Sequence, residues 1–108
     1  MIYDMTENET IRIYADTSVF GGVFDEEFEE AIKLQQAYTE AKILSVKYST
    51  DALHVALATI SQSSLIVSWN FKHIVNFQKI PRYNAVNKLN GYKEIAIYSP
   101  LEVIEYED

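Results

Sequence analysis

Apolar and polar positions alternate near the start of this chain and then settle into helical steps. Ile11, Ile13 and Ala15 alternate with Arg12, Tyr14 and Asp16, a period of two that predicts a β-strand ending at Asp16. Thr17 and Ser18 read as turn or cap residues, and Gly21-Gly22 as a flexible joint. Residues 1–10 are polar and acidic and read as a frayed lead-in.

From Glu26 to about Lys42, the residues Phe28, Ala31, Ile32, Leu34, Ala37, Tyr38 and Ala41 recur mostly at three- and four-residue steps, which predicts a helix. The acids of 25–30 crowd its first turns, where the helix dipole favours negative charge. Ser49 suits the N-cap of a second helix, Thr50 to about Gln62. Its stripe of Leu53, Ala56, Leu57 and Ile60, widened by Ala52, Val55 and Ala58, predicts burial on most sides.

Leu65-Ile66-Val67 suits a fully covered parallel strand. Phe71 to Ile74 reads as a helical turn, and Pro81 interrupts before a short helix around Tyr83 to Leu89, closed by Asn90-Gly91. Ile95 and Ile97 lie in a last strand that Ser99-Pro100 stops, and 101–104 form a terminal turn. Strands alternating with helices predict an α/β fold with a parallel sheet covered on both faces.

The 108 residues suit one domain, 1–108, and 48% hydrophobic residues suffice for a real core. With no cysteine, disulfides, thiolate zinc sites and cysteine nucleophiles are excluded. The first residues lack a basic start followed by an apolar core, and no apolar run is long enough to span a membrane. A cytoplasmic protein is the expectation.

The net charge of −7 argues against a protein that coats polyanions, but the charge is unevenly spread. Residues 1–30 carry nine acids against Arg12 alone. Between Asp51 and Glu94 there is no acid, while Lys72, Lys79, Arg82, Lys88 and Lys93 lie there. That block either meets a phosphate backbone or is a set of solvated lysines on helix faces.

In open α/β sheets ligands gather beyond the carboxyl ends of the strands. Asp16 ends the first strand, Asn70 follows the next, and Asp51 opens a buried helix, so these three can meet. Two carboxylates held close repel, and a divalent cation relieves the repulsion; Mg²⁺ often uses only one or two carboxylates and keeps several waters. Such an ion lowers the pKa of a bound water for attack on a phosphodiester, and Thr17 and Ser18 would add hydroxyl contacts.

Each candidate also has a plain structural reading. Asp51 serves the dipole of its helix, and Asn70 satisfies local backbone groups in a turn. Asp16 is harder to dismiss, because aspartate is a poor strand former. His54 reads as a hydrogen-bonded helix residue, His73 as a phosphate contact or a bystander, and Trp69 as a core or interface anchor. No GxSxG, Walker, GxGxxG or HExxH pattern occurs.

The stretches IYADTSVFGGVFDEEF (13–28), DALHVALAT (51–59) and VSWNFKHIVNFQKIPRYNAVNKLNGY (67–92), in this order, resemble the PIN-domain family, including its VapC-type toxin ribonucleases. The resemblance implies a three-layer α/β/α sandwich with a parallel sheet and a ribonuclease dependent on Mg²⁺ or Mn²⁺, commonly the toxin of a toxin–antitoxin pair. It places the family's first acid on Asp16, with the adjacent hydroxyl on Ser18, its later helix-borne acid on Asp51, and its last acidic position on Asn70. RNA, an antitoxin-like protein and a second copy of the chain become the expected partners, with Lys72, His73, Lys79 and Arg82 facing the RNA.

The chain departs from the family by a gap. Asp16 and Asp51 are 35 positions apart, where PIN domains place another strand, further helices and an acidic glutamate; Glu40 lies in the joining region but aligns with nothing. The sheet is therefore expected to have fewer strands and an unpaired edge, which favours self-association. A site with two carboxylates and an amide predicts weak metal binding and low or absent nuclease activity.

Overall fold

A computed structural model describes residues 2–4, 10–15 and 25–104 of the chain. In order these hold β1 (Ile2–Asp4), β2 (Thr10–Ala15), α1 (Asp25–Glu40), a 3₁₀ turn (Val46–Tyr48), α2 (Ser49–Ile60), β3 (Leu65–Val67), α3 (Ile80–Leu89), β4 (Ala96–Tyr98) and α4 (Pro100–Val103). Strands β2, β3 and β4 run parallel, with Ile13 opposite Leu65 and Leu65 opposite Ala96. The fold is mixed α/β, as the alternation of periods predicts.

Two boundaries differ from the sequence reading at the start of the chain and of α2. Ile2–Asp4 form no frayed lead-in: they pair antiparallel with β2, Tyr3 opposite Ile11. An exposed edge of β2 would leave backbone N–H and C=O groups unpaired, and β1 fills them. β1 then takes the edge position on that side of the sheet, with β4 at the other edge. Ser49 does not cap α2 but lies within it, after Tyr48 and the 3₁₀ turn, while its carbonyl accepts a 2.6 Å hydrogen bond from Gln35 of α1.

Pro81 does not interrupt a helix either; it sits in the first turn of α3, where its missing N–H has no partner to lose. Helices α1, α2 and α3 share the end structure that glycine usually marks. After α1, Lys42 takes φ of 60° and the Ile43 N–H reaches back to the Tyr38 carbonyl. After α2, Gln62 takes φ of 58° and Ser63 reaches Ala58; after α3, Gly91 takes φ of 83° and Tyr92 reaches Asn87. All are left-handed C-terminal caps, but only Gly91 adopts that conformation without a Cβ penalty.

The core is continuous across helices and sheet. Ala31, Leu34 and Tyr38 form the buried stripe of α1, and of the eight positions of α2 from Ala52 to Thr59 all but His54 are buried. Ile66 and Ile97 supply the sheet's share. Each large aliphatic chain so buried contributes roughly 1.5–3 kcal/mol.

A polar chain threads this core: Tyr38 donates to Asn87 Oδ1, and Asn87 Nδ2 donates to Thr59 Oγ1 at 3.2 Å, linking α1, α3 and α2. Asn84 clamps α3 to the residue before β4, donating to the Ile95 carbonyl at 3.0 Å and accepting its N–H at 2.7 Å. No helix among the described residues is long and apolar enough to cross a membrane.

Candidate functional site

Because α2 leads directly into parallel strand β3, its first turn, which carries Asp51, stands at the carboxyl end of the sheet. Tyr14, on β2, fixes that placement: its hydroxyl lies 2.9 Å from Nδ1 of His54, one turn after Asp51. The two rings meet edge-on, centroids 5.8 Å apart. His54 is therefore the hydrogen-bonded helix residue expected of it. Asp51 itself is half-buried.

Asp16 follows β2 directly in sequence, but Asp16, Thr17 and Ser18 lie outside the described residues. Among the described residues no three His, Asp or Glu side chains gather as a metal site. Of the two carboxylates expected to share a Mg²⁺ or Mn²⁺ ion, Asp51 is the one among the described residues, and Mg²⁺ often uses only one or two carboxylates with several waters.

Asn70 stands where β3 opens into a tight loop, and its groups serve that loop. Its N–H donates to Ser68 Oγ at 2.9 Å, its Oδ1 accepts the His73 N–H at 3.0 Å, and its carbonyl accepts the N–H groups of Ile74 and Val75. Ser68 continues the sheet by donating its N–H to the Tyr98 carbonyl at 3.0 Å. These bonds wind 70–75 into the helical turn predicted over Phe71 to Ile74.

His73 is buried, 9% exposed, and neither ring nitrogen has a hydrogen-bond partner among the described residues. Its ring lies on Tyr48 at 3.9 Å between centroids. Burial holds its pKa below the ordinary imidazole value; the nearby Asp51 charge opposes that push, and Lys72 and Lys79 reinforce it. His73 thus packs on Tyr48, and its turn is anchored from α3, since Tyr83 donates to its carbonyl at 2.7 Å. Asp51 is also close enough to Tyr83 to add to the upward shift that burial imposes on the phenol.

The basic candidates divide. Lys79 Nζ donates to the Ile43 carbonyl and Arg82 to the Ala41 carbonyl, each at 2.8 Å. They supply to the end of α1 the positive charge that its own last turn lacks. Lys88 pairs with Glu94 at 2.9 Å on the surface. Lys72 is exposed, and its ammonium, like that of Lys47, lies 5.6 Å from the Tyr48 ring centre.

Sequence reasoning missed the exposed rings beside this site. Trp69 is 57% exposed and Phe71 51%, so Trp69 is no core anchor. Their centroids are 6.1 Å apart, edge to face. The available signal was their spacing on either side of Asn70, just past a strand end. A cleft of about 480 Å³ between Thr59, Gln62, Tyr92 and Glu94 lies at the other end of the sheet. No family model, curated protein or solved structure matches this chain.

Proposed function

We propose that this chain is a PIN-like protein: a three-layer α/β/α sandwich with a reduced sheet, acting in the cytoplasm as a weak metal-dependent ribonuclease of the toxin–antitoxin type. The observation that carries the reading is the Tyr14–His54 bond, which brings the helix end bearing Asp51 to the strand that Asp16 follows. In this reading Asp16 and Asp51 together share a Mg²⁺ or Mn²⁺ ion, and Ser18 contributes its hydroxyl. When bound, the ion would make a hydroxide from water at neutral pH. The chain's own residues have the task of holding the RNA and orienting it, Asn70 by shaping the loop rather than by ligation.

The test is slow cleavage of unstructured RNA in Mn²⁺, lost in Asp51→Asn and in Asp16→Asn. Cleavage that survives both substitutions would refute the assignment.

A second reading keeps the fold and the RNA contact without chemistry, and the engagement of Asn70 Oδ1 by the His73 N–H favours it. Under that reading wild type binds RNA and never cuts it. An antitoxin-like partner belongs to the first reading. Self-association draws on exposed apolar side chains such as Val46 and Leu89 and on the edge strands β1 and β4.

A further inference from the structure

We infer that Trp69 and Phe71 form a stacking edge for the bases of an unpaired RNA strand, with the Lys72 and Lys47 ammonium groups beside it for the phosphates. The inference deepens the proposed function by naming how the RNA is held, and it needs no metal.

The loop after β3 inverts the usual choice of what to bury. Ser68 is 1% exposed and His73 is buried, while the largest apolar side chain of the loop, Trp69, is left more than half in water. Tryptophan is large and highly buried on average, so such exposure in a rigid loop calls for a partner. Rigid it is: the Asn70 and Ser68 hydrogen bonds and the Tyr83 bond to the His73 carbonyl hold Ser68, Asn70 and His73 in place. Trp69, Phe71 and Lys72 are what remains outward, preorganised at the end of the sheet that carries Asp51.

Charge decides the kind of partner. No Asp or Glu occurs from 52 to 93, and Lys72 and Lys47 flank the Tyr48 ring with no carboxylate bonded to either among the described residues. Exposed aromatic faces interleaved with cations suit single-stranded nucleic acid, whose bases stack on rings while its phosphates meet the ammonium groups. A duplex keeps its bases stacked inside and offers nothing to the rings. A second copy of the chain, acidic overall, would suit the lysines but leave the base-sized rings without a reason.

Trp69 is the chain's sole tryptophan, so it reports its own contact. The experiment titrates the full chain with a short oligouridylate in chelator, following Trp69 fluorescence and, separately, the anisotropy of an end-labelled strand. Expected are quenching by the single strand and none by the same strand paired in a duplex. Trp69→Ala and Phe71→Ala should each weaken binding by roughly five- to hundredfold, with Trp69→Phe retaining most of it. Lys72→Ala should reduce the steepness of the salt dependence by roughly one phosphate contact, about 0.7 in log–log slope.

Unchanged anisotropy titrations in Trp69→Ala and Phe71→Ala would overturn the inference, as would equal quenching by duplex. So would a change in sedimentation on Trp69→Ala, which would make the rings a contact between copies. Because no divalent ion is present, failure here leaves the cleavage test of the proposed function standing, and failure of cleavage leaves this binding intact.

Discussion

The hydroxyl of Tyr14 and Nδ1 of His54 lie 2.9 Å apart, joining residues 40 positions apart on a strand and a helix. This contact orients α2 on the sheet and so sets where Asp51 stands relative to the end of β2. Tyr14→Phe removes the bond but keeps the ring. It should cost about 1 kcal/mol in urea unfolding and weaken Mn²⁺ binding with it. A loss of stability with no change in metal affinity would separate α2 anchoring from the site.

The Tyr38–Asn87–Thr59 chain makes a buried, directional link among three helices. Tyr38→Phe leaves Asn87 Oδ1 buried without its donor, and the expected cost is about 1–3 kcal/mol. Asn87→Leu should cost at least as much. The double variant should be less unstable than the sum, and strict additivity in denaturant midpoints would show that the two groups do not couple.

His73 gives stability a pH dependence of defined sign. Its pKa in the fold is lowered from 6.5, first by burial, so the unfolded chain binds its proton more readily than the folded one. The stability it contributes is complete above about 6.5 and declines as pH falls from there through the folded value. His73→Phe keeps a ring against Tyr48 and should flatten this slope as the pH falls below about 6.5. An unaltered slope in the variant would assign the dependence elsewhere.

Lys79 and Arg82 hold carbonyls at the end of α1, so their effects should be structural. Lys79→Ala and Arg82→Ala are each expected to lower stability by about 0.3–1 kcal/mol and to leave the salt dependence of RNA binding as in wild type. A shallower salt slope in either would place that residue against phosphate.

The elements with strong periodicity were legible in the sequence. The stripe of Ala31, Leu34 and Tyr38 and the apolar circumference of α2 are buried as their periods predict, while the Leu65–Val67 run forms its strand but is not fully covered, since only Ile66 is buried. Less legible were features settled by partners distant in sequence. β1 exists as the neighbour of β2, and Lys42 and Gln62 accept left-handed backbone because Ile43 and Ser63 must close their helices. Pro81 carried a helix-start signal as well as a helix-stop signal, and the first applied.

The site was legible only in part. Asp51 at a helix start is a matter of local sequence, but the use of Asn70 by its own loop depends on the positions of Ser68 and His73. Nothing local marks Asn87 as fully buried, since its partners, Tyr38 and Thr59, lie on other helices.

Calorimetric titration of Mn²⁺ into wild type, Asp51→Asn and Asp16→Asn asks most directly whether the two carboxylates share an ion. The expected result is weak but saturable binding at one site in wild type, abolished by either substitution, with the folds intact by circular dichroism. Binding that is indifferent to both substitutions, or wild type that takes up no Mn²⁺ at millimolar concentrations, would contradict it.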